Sequence, residues 1–478
     1  MLSNLNIILD NHQYAILCSI TLFTIFIVRY SFLDRNGKYP FLNPKKAFEL
    51  TTNRVVSEFI GDSKNILAKG RALYKDQPYR ANTDWGEVVI IPPQFLSELK
   101  SHKDLNFQTP AEDVVNKHLT KALTKVTGPL SEEASLAFRD VFTNSTEWHE
   151  MQPSQDFIRI VSRMSSRVFM GEGLCRNEEW VKLSADYTVQ AFMTGDILRA
   201  YPRWARPYVH HFLPSCQKLR SMLEEARQCL KPFLEKRNAI KAEVMGKGKP
   251  CPFDDSIEWF EQEYEQHDPA ISQIALSLVA IHTTTDLLTE TVFNIALNPE
   301  LFEPLRHEII SVITTDGLKK TALYNLKLMD SVIKERLATA DVTLPNGDVI
   351  KKGTRIVCDT THMWNSEFHE NGDKFDGYRY LRMREASEQD KNAHPHLVSP
   401  SVDHLGFGYG NHACPGRFFA ANELKIALCH MLLKYDWKLA DGVVPKASTF
   451  GMMQTADSQA KLLIRRRTEE LYIDAAEH

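Results

Sequence analysis

The feature that most constrains the fold of this chain is the helical hydrophobic periodicity that dominates residues 111 to about 324. Apolar residues that recur at helical spacing indicate amphipathic helices. The pattern is interrupted at 201–214, which is aromatic, and at 246–255, which is a short polar loop. Neither interruption has the composition of a domain linker. We therefore predict one large, mainly helical body.

The hydrophobic period changes to two in shorter stretches. Residues 88–91 predict a strand that ends at a proline break. Further along, Asn346-Gly347 has the sequence of a two-residue hairpin turn between strands. Residues 417–435 predict a strong helix, and 436–468 predict short strands. The expected fold class is mainly α with small β-sheets.

Composition excludes several classes of function. Hydrophobic residues make up 43% and charged residues 25% of the 478 residues, which is typical of a globular protein. The net charge of -4 gives no indication of nucleic-acid binding. The eight cysteines are scattered and no two are spaced as Cys-x-x-Cys, which argues against a zinc site and a dense disulfide framework. We infer a reducing compartment.

The N-terminal segment differs from the rest of the chain. Residues 11–28 contain no Asp, Glu, Lys or Arg, and a spanning helix needs about 20 mostly apolar residues. The alternatives are a cleaved signal peptide and a buried core helix. No basic residue precedes the apolar run, and no small-x-small cleavage site follows it. We expect residues 1–45 to form a membrane anchor with its linker, and 46–478 to form one domain.

Basic residues near this segment predict its orientation. None precedes residue 28, whereas five follow it, namely Arg29, Arg35, Lys38, Lys45 and Lys46. Because positive charge is retained on the cytosolic side, the large C-terminal part should be cytosolic. The aromatic segment 201–214 suits a second, weaker membrane contact, and ordinary core packing is the alternative.

One cysteine lies in an unusual setting, the stretch "FGYGNHACPG" at 407–416. Its glycines fit neither a Walker loop nor G-x-G-x-x-G. A zinc site needs about four ligands, and only His404 and His412 are near Cys414. A catalytic thiol and a buried structural cysteine remain possible.

The surroundings of Cys414 favour a metal-ligating thiolate. A helix is predicted to start after Pro415 and Gly416, and its N-terminal dipole favours the thiolate form. Gly410 and Gly416 leave room for a flat ligand beside the backbone, and Phe407 can keep water from the sulfur. A dry thiolate beside a flat surface suits an axial haem ligand.

The same stretch resembles the cysteine loop of cytochrome P-450 monooxygenases, Phe-x-x-Gly-x-(Arg or His)-x-Cys-x-Gly. The matching residues are Phe407, Gly410, His412, Cys414 and Gly416. The following helix is similar to the filamentous-fungal, secondary-metabolite branch of that family. The resemblance implies the P-450 fold, preceded by one transmembrane helix, and a haem b whose iron is bound by Cys414. His412 would donate to a haem propionate.

The resemblance also implies a long helix on the other face of the haem, and residues 270–301 have the right character. Ala280, Thr284 and Thr285 match the pattern (Ala/Gly)-Gly-x-(Asp/Glu)-Thr-(Thr/Ser). Thr284 and Thr285 are the candidate catalytic residues, because an alcohol there can position water that delivers protons for O–O cleavage. Hydrogen bonding of threonine hydroxyls to carbonyls one turn earlier is the alternative for some of them.

Two positions of this helix depart from the pattern. Ile281 replaces the glycine, which narrows the groove over the haem, and Thr283 replaces the acid. His282 and Asp286 are candidates to replace that acid as the proton source.

Another motif of the family is incomplete. Members pair a Glu-x-x-Arg motif with an arginine in the loop before the cysteine, which Arg379 matches. Glu335 is present, but residue 338 is alanine. About a dozen residues, roughly a helix end and a strand, are expected to be missing near 335–338, through a splicing or gene-model error or a real deletion. The alternative is that Arg336 substitutes, although adjacent residues point about 100° apart on a helix.

This gap leads to the expectation that Arg379 lacks its partner and that the chain binds haem poorly.

Taken with the resemblance, these residues imply a haem-thiolate monooxygenase of the EC 1.14 class that inserts one oxygen atom of O2 into a large apolar substrate. The implied substrate is a terpenoid-type polycycle in secondary-metabolite biosynthesis. Electrons would come from NADPH through a separate reductase, and the protein would be a single-pass protein of the endoplasmic reticulum membrane. The alternative is a membrane-tethered, haem-poor or inactive variant of the same fold.

Overall fold

The structure is a computed structural model of the chain. It describes residues 16–25, 39–46, 49, 51–99, 114–201, 204–335, 355–360, 363, 371–372, 374–386, 394–402 and 404–476. Two compact units are formed, one from residues 1–102, 341–362 and 449–454, the other from 103–340, 363–448 and 455–478.

Helices account for most of the secondary structure. In chain order they are α1 (Ile16–Ile25), α2 (Asn53–Tyr74), α3 (Leu96–Leu99), α4 (Thr120–Phe142), α5 (Pro153–Met170), α6 (Glu172–Cys175), α7 (Glu178–Arg199), α8 (Arg206–Val209), α9 (Pro214–Gly246), α10 (Ser256–Glu263), α11 (Pro269–Leu297), α12 (Phe302–Asp316), α13 (Lys320–Asn325), α14 (Lys327–Lys334), α15 (Arg379–Ala386) and α16 (Arg417–Lys434). The predicted breaks at 201–214 and 246–255 both fall between helices.

The strands are short. They are β1 (Tyr79–Thr83), β2 (Gly86–Ile91), β3 (His149–Met151), β4 (Arg355–Cys358), β5 (Tyr435–Leu439), β6 (Ser448–Phe450), β7 (Met453–Thr455) and β8 (Leu462–Arg466). The predicted class, mainly α with small sheets, is confirmed. So are the strand at 88–91 and the short strands after 435. The predicted hairpin turn Asn346-Gly347 lies outside the described residues.

The first unit is built on the sheet β1-β2-β4, in which β1 and β2 are antiparallel and β2 and β4 are parallel. Tyr79, Ala81, Val88, Ile90 and Val357 form its buried core. β-Branched and aromatic residues suit such a buried pleated surface.

In the second unit, the central helix α11 begins at Pro269, one residue before the predicted start at 270. Asp268 caps it, since its Oδ1 accepts a hydrogen bond from the Ala270 amide at 2.9 Å. Pro269 is favourable at the first helical position because its missing N–H would have no helical partner there. α11 packs against α5 and α7.

The helix after the cysteine loop, α16, is almost entirely buried. Near its end, the Lys434 Nζ donates to the two carboxylate oxygens of Asp474 at 2.8 and 2.6 Å and to the Ser135 Oγ at 2.7 Å. The chain then enters the antiparallel sheet β3-β8-β5 of the same unit. This C-terminal part of the chain therefore completes the surroundings of α16.

One helix among the described residues, α11, is long and apolar enough to cross a membrane. Over half (56%) of the most apolar part of this helix is buried within the protein, which is typical of a core helix. α1 is a shorter apolar helix, and its large apolar side chains are exposed. The predicted anchor at 11–28 extends beyond the described residues on both sides of α1, so it stays a prediction.

The aromatic segment around α8 is exposed. Trp204 is 77% and Phe212 80% exposed, and Tyr208 is also exposed. The alternative that these aromatic residues are ordinary core is therefore wrong.

Candidate active site

Two residues of the cysteine loop have backbone angles that few residue types other than glycine adopt. Gly408 and Gly410 have φ values of 74° and 62°, in the left-handed region that favours glycine. The Gly408 amide donates to the Leu405 carbonyl at 2.8 Å, and the Cys414 amide donates to the Phe407 carbonyl at 2.7 Å. The loop thus folds back so that Phe407 and Cys414 are adjacent, as the proposed shielding of the sulfur requires. Phe407 is buried.

The helix after the cysteine begins at Arg417, with Gly416 at its N-cap. This position was predicted. Arg417 adds a positive charge beside the cysteine, since its Nη1 donates to the Cys414 carbonyl at 2.8 Å. Burial lowers the pKa of Arg417, and the Cys414 sulfur opposes that shift. A helix N-terminus and a guanidinium both favour a thiolate at Cys414.

The residues around Cys414 fit a haem with a cysteine ligand. A Cβ at Gly416 would lie 4.0 Å from the Cys414 Sγ, so glycine leaves that side of the sulfur uncovered. Cys414 and Ala280 pack against the same hydrophobic core of this unit. His412 lies in the turn Gly410–His412, and its side chain is outside what the structure describes.

The three consecutive threonines of α11 have different environments. The Thr283 Oγ1 donates to the Val279 carbonyl one turn earlier at 2.9 Å, on an exposed face. Thr284 and Thr285 are buried, and within the described chain the Thr285 Oγ1 has no hydrogen-bond partner. Hydrogen bonding to the preceding turn, the alternative considered for these residues, therefore applies to Thr283. A buried hydroxyl without a partner is available to a bound group or to water.

Both candidates to replace the missing acid, His282 and Asp286, form hydrogen bonds with backbone groups. The His282 Nε2 donates to the Ala185 carbonyl on α7 at 3.2 Å, and burial lowers the pKa of its imidazole. Asp286 accepts from the Ala456 amide at 2.7 Å; burial raises its pKa, which this hydrogen bond opposes. Of the two pKa shifts, only that of Asp286 is toward the protonated, proton-donating form. Ile281 is fully buried.

Arg379 does have a carboxylate partner, so the expectation that it lacks one is wrong. Its Nε donates to both oxygens of Glu335, at 2.9 and 3.0 Å, and both side chains are buried. Its Nη2 also donates to the carbonyls of Asn371 and Lys374, each at 3.1 Å. Burial raises the pKa of Glu335 to about 7, against the effect of Arg379. Positions 336 and 338 lie outside the described residues.

The prediction failed because it assumed that the glutamate of the Glu-x-x-Arg motif could bind Arg379 only when the arginine of the motif is also present. Glu335 is the residue after α14, and Arg379 begins α15, which packs against α14. This packing brings the two charges together without an arginine at position 338. Sequence reasoning also missed Lys334 and Asp330, although a buried lysine and aspartate one turn apart in the apolar helix "KLMDSVIK" are a signal of a specific structural task.

A mainly helical fold with a cysteine at the start of a buried helix, and an alcohol-bearing central helix in the same unit, defines the class of haem-thiolate oxygenases. The family model Cytochrome P450 matches residues 112–463. The chain belongs to the cytochrome P450 family, as its sequence motifs predicted. Members use haem iron and O2 with electrons from a redox partner, an NADPH reductase, and the chain is an oxidoreductase of the monooxygenase type.

Similar proteins are fungal. The chain is 66% identical to cytochrome P450 monooxygenase eqxH of Fusarium heterosporum, with 100% of both chains covered. It is 39% identical to hepE of Aspergillus oryzae, covering 96% of this chain and 91% of the relative. It is 39% identical to ptmU of Penicillium ochrochloron, covering 92% and 94%. The predicted fungal secondary-metabolite branch is confirmed.

The comparison with the Fusarium heterosporum relative also bears on the missing residues. That alignment extends over 512 positions, whereas this chain has 478 residues. The relative therefore contains residues without a counterpart in this chain, in total more than the dozen predicted. Their location next to Glu335 stays a prediction.

Proposed function

We propose that this chain is a membrane-anchored haem-thiolate monooxygenase that inserts one oxygen atom of O2 into a large apolar substrate. The observation that carries the proposal is the loop that places Cys414 at the N-terminus of α16, beside Phe407. A thiolate is stabilised there by the helix dipole and Arg417.

Each residue of the site has a proposed role. When bound, the haem supplies the activation of O2. Cys414 would bind its iron, Phe407 would exclude water from the sulfur, and His412 would donate to a propionate. Gly410 and Gly416 leave space for the flat ring, and the pair of Arg379 with Glu335 supports the segment before the loop. Thr284 positions the water that delivers protons, with Thr285 beside it.

The proposed substrate is a polycycle of terpenoid type. What supports a large apolar ligand is the character of α11 around Thr284, where Ala280, Ile281 and Leu287 lie within an apolar helix. The terpenoid class rests on the resemblance described above. Titration with polycyclic terpenoids and with linear fatty acids, followed by the haem absorption band, tests it. A response to the linear acids alone would contradict the proposed class.

The haem-poor alternative is less well supported. It rests on the missing Glu-x-x-Arg segment, and one consequence expected of that gap, an unpaired Arg379, does not hold, because Arg379 binds Glu335.

Replacing Thr284 by alanine should uncouple the reaction. Because the hydroxyl acts in proton delivery and not in substrate binding, the substrate should still perturb the haem spectrum. Product formed per NADPH should fall by about 10²-fold or less, the usual contribution of a positioned proton donor, and peroxide should rise. Peroxide and product are measured together with NADPH consumption.

The matched control is Thr283→Ala, because Thr283 lies on the exposed face of the same helix. Its coupling should match that of the unchanged chain. Unchanged coupling in Thr284→Ala would exclude Thr284 as the relay and make Thr285 the next residue to test.

We also propose that the N-terminal segment holds the protein in the endoplasmic reticulum membrane, with the catalytic part in the cytosol beside the reductase. The exposed apolar side chains of α1 support this, as do the exposed aromatic residues Trp204, Tyr208 and Phe212. Amphipathic aromatic rings suit the membrane interface.

Deletion of residues 1–40 should therefore move much of the protein from the membrane to the soluble fraction after a carbonate wash. Residual binding of the deletion variant should fall further when Trp204 and Phe212 are replaced by serine. Complete retention of the deletion variant on washed membranes would exclude the anchor.

A further inference from the structure

A buried lysine organises the segment that leads to the cysteine loop. Lys334, the last residue of α14, is fully buried. Its Nζ donates to the carbonyl oxygens of His394, His396 and Ser399 at 2.9, 2.8 and 3.0 Å. Burial lowers the pKa of this amine to about 7, so it is protonated below that pH. The three N–H donors of the protonated amine then match the three acceptors. Its Nζ also lies 5.0 Å from the centre of the Tyr380 ring, a favourable position for a cation.

Asp330, one turn earlier on α14, binds the same segment through an amide. Its Oδ2 accepts from the Leu397 amide at 2.8 Å. Its Oδ1 accepts from the Lys425 Nζ at 2.5 Å, and Lys425 belongs to α16, the helix that follows Cys414. One turn of α14 therefore connects the segment before the cysteine loop with the helix after it.

Hydrogen bonds continue from this segment to the cysteine. The His404 Nε2 donates to the Lys334 carbonyl at 2.8 Å. The next residue, Leu405, accepts from the Gly408 amide, and Phe407 accepts from the Cys414 amide. A displacement of residues 394–404 would thus be transmitted along the backbone to the residue that bears the sulfur.

We propose that Lys334 is a positioning residue for Cys414. By holding three carbonyls of the segment before the loop, Lys334 keeps the cysteine loop in the conformation that binds haem. It does so in a chain whose Glu-x-x-Arg motif has alanine at the arginine position. Buried charges that bind several backbone groups are costly to remove, because the backbone groups then lose their partners. The inference rests on the proposed function, since it concerns the ligand of the haem.

The test uses the full chain in three forms. Lys334→Met removes the charge and keeps most of the length of the side chain, and Lys334→Arg keeps the charge. Lys327→Met is a matched control on an exposed lysine of the same helix. The first readout is the carbon monoxide difference spectrum, in which thiolate-ligated and thiol-ligated haem give distinct bands. The second is hydrogen exchange of the backbone amides at 397–408 and in α11, in protein without carbon monoxide.

We expect Lys334→Met to lower the ratio of thiolate to thiol haem by about tenfold, a loss typical of hydrogen bonds to a charged donor. Exchange should accelerate at 397–408 and not in α11. Lys334→Arg should retain most of the thiolate band, and Lys327→Met should match the unchanged chain. An unchanged band and unchanged exchange in Lys334→Met would overturn the proposal. So would equal acceleration in α11, because that result indicates a general loss of stability.

A Cys414→Ala variant measured alongside separates this inference from the proposed function. If its thiolate band persisted, Cys414 would not be the ligand and the proposed function would fail, whatever Lys334 does. If the band were lost in Cys414→Ala but not in Lys334→Met, only the role of Lys334 would be refuted.

Discussion

Replacement of Cys414 by alanine is expected to abolish thiolate-ligated haem in this protein. The helix dipole of α16, Arg417 and the cover of Phe407 all act on this one sulfur. No described side chain at the start of α16 offers a second thiolate. The measurements are the haem content of the purified protein and its carbon monoxide difference spectrum.

The matched control is Cys429→Ala, since Cys429 is a fully buried cysteine of α16 itself. Burial raises the pKa of its thiol, as in an inert structural cysteine. The control variant should lose some stability from the small cavity and keep its thiolate band. Survival of that band in Cys414→Ala would refute the assignment of the ligand.

The unchanged 478-residue chain should itself give the thiolate band. The earlier expectation of poor haem binding depended on an unpaired Arg379, and Arg379 is paired. If the unchanged chain gave only the thiol form, the residues present in the relatives and absent here would be needed for ligation. Inserting them after Glu335 should then restore the band.

The second large effect is expected from Glu335→Ala, which removes the carboxylate that the buried Arg379 binds through its Nε. Removing one partner of a buried pair typically costs about 3–5 kcal/mol, because the remaining charge is uncompensated. Burial raises the pKa of Glu335 to about 7, and its carboxylate is ionised above that value. The experiment should therefore be carried out at about pH 8. The free energy of unfolding is measured by urea titration, with the haem band and circular dichroism as separate probes.

A double variant identifies the cause. If the uncompensated arginine is responsible, Glu335→Ala combined with Arg379→Met should recover part of the lost stability, and the two changes should be far from additive. Glu243→Ala serves as the control, because Glu243 near the end of α9 pairs with Lys247, the residue after that helix, and both side chains are exposed, where ion pairs contribute little. A loss in Glu335→Ala no larger than in Glu243→Ala would show that the pair is not a structural support.

Much of the fold could be predicted from local patterns. α11 has an N-terminal cap in Asp268, α16 follows a proline and a glycine, and the hydrophobic content of both depends only on nearby residues, so their bounds were predicted closely. The cysteine loop could be predicted because its glycines have backbone angles that other residues avoid. These features are encoded within a few residues of where they occur.

Features that depend on packing between distant segments could not be predicted from local patterns, although the family resemblance did indicate Glu335 and Arg379 as matching positions. Glu335 and Arg379 meet because α14 packs against α15, and nothing in either segment alone specifies that contact. The same holds for the bond between Asp286 and the Ala456 amide, which joins α11 to a segment far along the chain. The three consecutive threonines of α11 indicated a functional site from the sequence alone. Only the structure distinguished Thr283, which is exposed, from Thr284 and Thr285, which are buried.

The bond between Lys434 and Asp474 has a consequence for the behaviour of α16 in acid. Lys434 is buried at the end of α16, and its Nζ donates to both carboxylate oxygens of Asp474. Against the effect of burial, the hydrogen bond and the charge of Lys434 lower the pKa of Asp474. A carboxyl group whose pKa is lower in the folded than in the unfolded protein stabilises the fold at neutral pH, and this contribution is lost as the pH falls through the lowered pKa. Acid should therefore loosen the end of the helix that follows the cysteine.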